Sequence, residues 1–161
     1  IPDSSAPLSQ AQPILKRLKK LYMMIPGPGV EKYGTELEEH QQLLLAVADI
    51  LIEVYMAESA VLRAEKNIGV YGLEAQEHQV ALSQLYLYQA VEKISTKGRE
   101  AILGFAEGDE QKALLMGLKR FTKYMEYPNV IALRNKVAEK LTAENVYCFW
   151  HVSLLLLVYY H

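Results

Sequence analysis

Cysteine is almost absent from this sequence, and no long apolar run is free of charge. Cys148 is the only cysteine among 161 residues, so an intrachain disulfide is excluded and a reducing compartment is favoured. The most apolar stretch, residues 43–62, contains Asp49, Glu53 and Glu58. Each carboxylate would cost about 3 kcal/mol at the centre of a bilayer. The sequence therefore predicts no membrane-spanning segment.

An excess of charge of either sign is also missing. Seventeen Lys and Arg residues oppose nineteen Asp and Glu residues, which gives a net charge of -2. Nucleic-acid surfaces need clustered Lys and Arg, and the one basic run, residues 16–20, is interpreted as a solvated helix face. We predict no nucleic-acid partner.

Apolar residues recur at helical spacing, and alternation typical of strands does not occur. The sequence predicts an all-α, mainly antiparallel bundle of four to five helices in one domain. Two prolines and two glycines in Ile25–Gly29 predict a break, and Thr35 with Glu38 forms a capping-box pattern. The predicted helices start at Pro13, run from Thr35 to about Asn67 before Gly69, from Leu73 to Lys97 or on to Phe105, from a cap at Asp109 to Tyr124, and from a cap at Asn129 to about Ala143.

The predicted helix that starts at Thr35 is apolar around almost its whole circumference. Such a helix lies either at the centre of its bundle or against another domain or subunit, and its polar members then need partners. We predict a buried polar seam at Asp49 and Glu53, one helical turn apart. The residues predicted to form the interface are Leu44, Leu51, Tyr55 and Leu62.

Two similar stretches, EEHQ at 38–41 and QEHQ at 76–79, place a His beside carboxylates. A di-metal site in a helical bundle needs Glu three residues before His, whereas here the Glu–His spacing is four. That spacing, at the start of each predicted helix, is typical of intrahelical pairing and of acidic residues near a helix dipole. We predict no metal-binding residue.

Other reactive patterns are missing as well. Gly27-Pro28-Gly29 lacks the Lys and the preceding strand of a phosphate loop, and Cys148 has no basic surroundings that would activate a thiol. For Asp49 and Glu53 a structural role is favoured over acid–base catalysis. The residues themselves therefore predict no catalytic and no cofactor-binding site.

The segments GTELEEHQQLLLAVADILIEVYMAESAVLRAEKNIG and AQEHQVALSQLYLYQAVEKI, followed by FAEGDEQKALLMGLKRFTKY and NVYCF, resemble the C-terminal region of very-long-chain-type acyl-CoA dehydrogenases, bacterial members in particular. The resemblance covers residues 15–149. It depends on an extended pattern, which includes the steps Val47-Ala48-Asp49 and Glu53-Val54-Tyr55, and not on a short catalytic motif.

This resemblance implies a parent enzyme that uses FAD to oxidise fatty acyl-CoA to the 2,3-enoyl thioester and passes electrons to an electron-transfer flavoprotein. In the family the base is a glutamate upstream of this region, so Glu36, Glu38 and Glu39 are not that base. The fragment alone is then neither an enzyme nor a flavin-binding unit. It is expected to pack on the catalytic core or a dimer partner, in the cytoplasm of a bacterium or in mitochondria of a eukaryote, where membrane-surface contact is associated with such relatives.

The resemblance divides the chain into a linker at 1–12, the helical domain at 13–149 and an apolar extension at 150–161. The break at Ile25–Gly29 and this extension depart from the family pattern. The extension is interpreted, in order of preference, as a cloning remnant, a lattice contact or a short membrane-surface anchor. The alternative to a docked domain is an independent helical module that binds proteins or a membrane surface.

Overall fold

The computed structural model describes residues 8–145, which form α-helices and short 3-10 segments without a β-strand. The predicted all-α class is confirmed. Residues 1–7 and 146–161 lie outside the described residues, so the predictions for Cys148 and for the extension at 150–161 stay predictions. The helices are α1 (Ala11–Met24), α2 (Pro26–Tyr33), α3 (Gln41–Tyr71), α4 (Glu77–Phe105), α5 (Gly108–Phe121) and α6 (Val130–Glu144).

The first helix ends at Met24, where the break was predicted, but Pro26–Tyr33 forms a second helix, so the prediction that two prolines and two glycines interrupt helical structure is wrong for residues 26–29. Ile25 has φ -74° and ψ -50°, which carries helical backbone from α1 into α2. Pro26 is the first residue of α2, where its fixed φ suits a helix. Pro28 lies in the same first turn, where a backbone N–H has no intrahelical partner to lose.

The start of α3 also differs from its prediction. Gly34–Glu39 forms a 3-10 helix, and α3 begins at Gln41. No side chain caps either start, so the capping box predicted from Thr35 and Glu38 does not form. Gly34 has φ +52°, a conformation that favours glycine, and it turns the chain out of α2.

The glycine that ends α3 and starts the turn to α4 lies later in the sequence than predicted. Gly69 lies inside α3, and Gly72, at φ +83°, is the residue that ends it. A 3-10 turn at Glu74–Gln76 then precedes α4, which therefore begins later than the predicted Leu73. The extension of this helix to Phe105 is confirmed.

Of the last two helices, one has the cap that the sequence predicts. Asn129 Oδ1 accepts a hydrogen bond from the Ala132 N–H at 3.0 Å and caps α6. In α5 the capping position is held by Glu107, and Asp109 lies in the first turn. That helix ends before Tyr124, which is buried in the connection to α6.

Cross-helix contacts show that α3 and α4 are antiparallel. Lys97 Nζ on α4 lies 3.8 Å from Asp49 Oδ2 near the start of α3. Further along, Ser83 Oγ donates to the Ala60 carbonyl at 3.0 Å. Lower α4 numbers thus meet higher α3 numbers, as expected for two helices joined by a tight turn.

The core lies between α1, α3, α4 and α5, and Gly98 is one of the positions of close contact in it. A Cβ at this position would lie 2.8 Å from Leu118 Cδ1 and 3.1 Å from Ile25 Cδ1. The glycine therefore lets α4 approach its neighbours closely. By contrast, α6 packs along α4 without burying any of its residues fully.

Candidate docking surface

α3 carries apolar side chains on two opposite sides. At 100° per residue the centres of the two sets are separated by about 180°, and we call the exposed set the outer face. The side that packs against α1 and α4 contains Ala46, Ile50, Val54, Ala57, Val61 and Ala64. The outer face contains Leu44, Leu45, Leu51, Ile52, Tyr55, Met56 and Leu62.

All four residues predicted at an interface lie on the outer face. Leu44 and Leu51 are 40% and 44% exposed, and Tyr55 and Leu62 are 67% and 50% exposed. These side chains are accessible to a partner, and their role in an interface stays a prediction. Residues 8–145 do not enclose α3 fully, and large contiguous apolar patches are uncommon on monomeric proteins.

The outer face has a second stripe of exposed apolar residues that was not among the predicted interface residues. Leu45, Ile52 and Met56 are 58%, 57% and 47% exposed. Their spacing of seven and four residues repeats that of Leu44, Leu51 and Tyr55, one residue further along the helix. This repeated spacing is the signal that would have identified them. No helix within residues 8–145 combines the length and hydropathy needed to cross a bilayer.

Asp49 and Glu53, the residues of the predicted polar seam, each lie beside a lysine of α4. The Asp49 side chain is 51% exposed, so the prediction of its burial within this chain is wrong. The Glu53 side chain is 17% exposed and accepts a hydrogen bond from Lys93 Nζ at 2.8 Å. Asp49 is exposed because it lies at the rim of the groove between α3 and α4, outside the packed stripe.

Tyr86 completes the Glu53 site from α4. Its hydroxyl donates to Glu53 Oε2 at 3.2 Å. Burial, followed by the negative charge of Glu53, raises the pKa of the Tyr86 phenol, while the hydrogen bond to Glu53 raises the pKa of Lys93. The carboxylate thus joins two α4 side chains to α3, which is a structural arrangement.

A second polar region lies where α3 begins. The Tyr33 and His40 rings stack with centroids 3.5 Å apart and 24° between their planes, and Lys32 Nζ donates to the Phe105 carbonyl. Beside them is an open cleft of about 650 Å³, whose charged residues are Glu39, Asp49, Lys97 and Glu100. Its one cation is already paired with two carboxylates, so the cleft does not suit the anionic pyrophosphate of FAD.

The two His-containing stretches lie at helix starts, as predicted. His40 holds the capping position of α3, and His78 lies in the first turn of α4. Glu77, beside His78, pairs with Lys136 of α6 at 2.7 Å, and this contact lowers the pKa of the Glu77 carboxyl. Among the residues that the structure describes, no three His, Cys, Asp or Glu side chains come together as a metal site.

Comparisons with known proteins identify the family of this chain. The model of the acyl-CoA dehydrogenase C-terminal domain matches residues 17–120. The chain belongs to the acyl-CoA dehydrogenase family. A "Probable acyl-CoA dehydrogenase" of Bacillus subtilis (strain 168) is 33% identical over 134 residues, which are 83% of this chain and 22% of that protein.

A solved structure matches the same acyl-CoA dehydrogenase domain in three dimensions. It is the crystal structure of an acyl-CoA dehydrogenase from Bacillus anthracis complexed with FAD, with a TM-score of 0.86 and 30% identity. The match covers 90% of this chain and 25% of that chain. The sequence therefore spans about a quarter of the length of these relatives and corresponds to their C-terminal domain.

Proposed function

We propose that this chain is the non-catalytic C-terminal domain of an FAD-dependent acyl-CoA dehydrogenase of fatty acid β-oxidation, and that the outer face of α3 packs on the catalytic core of the same parent chain. The observation that carries this proposal is the position of the exposed apolar face. It lies opposite the packed side of α3, on a domain whose relatives are about four times longer than this chain.

The reaction of the proposed parent removes two hydrogens from the acyl chain. The α-proton goes to a glutamate base of the core and the β-hydride goes to FAD, which leaves the 2,3-enoyl thioester. The FAD bound to the Bacillus anthracis relative supports this assignment. The electrons then pass to an electron-transfer flavoprotein, and none of these steps uses a residue of this domain.

The charges around the outer face favour a protein surface over an anionic membrane. Asp49 and Glu53 on the α4 side are paired with Lys97 and Lys93. On the α1 side Glu58 is paired with a lysine at 2.6 Å. Membrane-surface helices instead carry clustered cations beside their apolar face, so an apolar protein surface fits better.

The assembly and the compartment form part of the same proposal. We propose a homo-oligomer with the domain also near the dimer interface, and a cytoplasmic location, which the bacterial source of the two relatives supports. Reading the DNA upstream of the Ile1 codon tests the parentage. Core sequence in frame there is expected, whereas an independent start of translation would favour the free interaction module.

Cysteine labelling of the full-length parent tests the docking. Leu51→Cys and Tyr55→Cys, each combined with Cys148→Ser to remove the native thiol, should react with a maleimide at least tenfold more slowly in the full-length protein than in the 161-residue chain. Burial of the outer face against the core is the expected cause, and labelling rates are measured by mass spectrometry.

A matched control is available on the other side of the bundle. Met116 of α5 is 72% exposed and is not part of the outer face, so Met116→Cys in the same background should label at similar rates in both proteins. Equal rates for Leu51→Cys in the full-length protein and the isolated chain would refute docking through this face.

A further inference from the structure

A groove between α3 and α4 runs beside the outer face along most of both helices. It consists of three depressions of about 650, 500 and 570 Å³. The first two share Asp49 and Lys97. The second and third share no lining residue, and the hydrogen bond from the Tyr86 hydroxyl to Glu53 lies between them. The first two depressions therefore form one groove, and the third follows it along the same two helices beyond this hydrogen bond.

The dimensions of this groove fit an α-helix. From Leu45 to Arg63 the α3 rim is about 27 Å long, since an α-helix rises 1.5 Å per residue, and this is the length of about 18 helical residues. The rim carries Leu45, Ile52 and Met56 at helical spacing. Two packed helices offer no free backbone edge to an extended strand, whereas their groove accepts the apolar face of a third helix.

The two ends of the groove carry opposite charges. Arg63 lines the end near the α3–α4 turn, and Glu39 and Glu100 line the other end. Within residues 8–145 neither Arg63 nor Glu39 takes part in an ion pair. Asp49 and Glu53 in the middle are paired with lysines of α4, whereas Glu92 in the same depression takes part in no ion pair within residues 8–145. The middle of the groove is therefore charged and suits the polar flank of a helix whose apolar face covers the stripe on the α3 rim.

We propose that this groove receives one amphipathic helix of about 18 residues from the catalytic part of the parent chain. Basic residues of this helix lie over Glu39 and Glu100, and an acidic residue lies over Arg63. The inference rests on the proposed function and adds the kind of partner and its placement. The opposite charges at the two ends of the groove set the charges expected of this helix, and the length of the relatives outside this domain supports its source.

Two synthetic helical peptides test this placement on the 161-residue chain. Both have 18 residues and the same apolar face, but one has a basic and an acidic end, and the other has two basic ends. Fluorescence anisotropy should show that the wild-type chain binds the first peptide about fivefold more tightly, a factor that one exposed ion pair supports. The Arg63→Glu variant should reverse this preference.

Lys66→Glu is the control for long-range electrostatics. Lys66 is also exposed on α3 and makes the same change of charge, but it lines none of the three depressions. This variant should keep the wild-type preference. Equal effects of Arg63→Glu and Lys66→Glu, equal binding of both peptides by the wild-type chain, or binding to anionic lipid vesicles without binding to either peptide would overturn the proposal.

These outcomes are separable from a failure of the proposed function. Protection of Leu51→Cys in the full-length parent does not depend on the peptides. Protection without peptide discrimination would refute the groove helix alone. Labelling of Leu51→Cys at the same rate in both proteins would refute docking itself.

Discussion

α3 and α4 are nearly equal in length, with 31 and 29 residues, and they lie antiparallel against each other. Eleven residues of α4 are buried but only six of α3, although α3 has the more apolar sequence. The difference arises from their neighbours. α4 contacts α1, α3, α5 and α6, whereas α3 packs on α1 and α4 and leaves its outer face open.

This comparison shows that the hydrophobicity of a helix does not determine how many of its residues its own domain buries. In α4 the apolar residues are those that its own domain covers. In α3 an additional apolar set is exposed, and water contact with apolar surface costs about 25 cal/mol per Å². A partner that covers the surface would remove that cost, and this is the physical reason for the proposal that the outer face docks on another part of the parent chain.

The largest expected difference comes from truncating the same residue type in each helix. Ile94 of α4 is fully buried, and Ile94→Ala should lower the free energy of unfolding by about 2–4 kcal/mol because it removes core contacts and leaves a cavity. Ile52 of α3 is 57% exposed, so Ile52→Ala should cost less than about 1 kcal/mol in the isolated chain. Urea unfolding measures both.

Equal losses for the two isoleucine variants would contradict the comparison. They would mean that the outer face is packed in the isolated chain, for example by self-association. Unfolding at several protein concentrations distinguishes that case, because the stability of a self-associated chain rises with concentration.

A second contrast uses one glycine from each helix. Gly98→Ala in α4 places a methyl group against Leu118 and Ile25, both of which are buried and have little room to move. We expect a loss of about 1–2 kcal/mol from overpacking. Gly69→Ala in α3 meets no atom within 4 Å and should stabilise the helix by about 0.5–1 kcal/mol. The Tm should therefore fall for Gly98→Ala and rise for Gly69→Ala. A rise in Tm for both variants would disprove the tight contact at Gly98.

The helical class and the accessible apolar residues of α3 were predictable because both depend on local periodicity. Leu44 and Leu51 lie seven residues apart, and this spacing alone places them on one face. The helix ends were less predictable, since several residues compete for each role. Gly69 and Gly72 both suit a terminator, and only packing decides that the chain turns at the second.

The position of Asp49 in an apolar helix did not reveal that its side chain is exposed. Its exposure depends on the width of the groove toward α4, which is a tertiary property. Ile25–Gly29 is a similar case, because the composition indicates a break but the prolines coincide with a first helical turn. The proposed interface rests on the apolar side chains that residues 8–145 leave exposed.

A third contrast compares the two carboxylates of the seam. Glu53 accepts hydrogen bonds from Lys93 and Tyr86 and is largely buried, so Glu53→Gln should cost about 1 kcal/mol. Asp49 is half exposed, and its lysine partner lies 3.8 Å away, so Asp49→Asn should cost less than about 0.5 kcal/mol. Chemical denaturation at neutral pH measures this difference, and a larger loss for Asp49→Asn would show that the seam is centred nearer the start of α3.

The smallest expected effect is the pH dependence of the contact that Tyr86 makes between the two helices. The pKa of this phenol is raised in the folded chain, mainly by burial and then by Glu53. As the pH rises past about 10, the unfolded chain loses the phenolic proton before the folded chain does. The stability that Tyr86 contributes is therefore complete below pH 10 and is lost as the pH rises through the folded pKa.

Tyr86→Phe should accordingly cost about 0.5 kcal/mol at pH 7, the value of a weak net hydrogen bond, and progressively less above pH 10. Tyr55→Phe on the outer face removes the same hydroxyl from a 67% exposed side chain and should follow the wild-type chain at every pH. A constant difference between Tyr86→Phe and the wild-type chain from pH 7 to 11 would mean that the phenol is not coupled to Glu53. Of the two α4 partners of Glu53, Lys93 would then be the one that matters for this link.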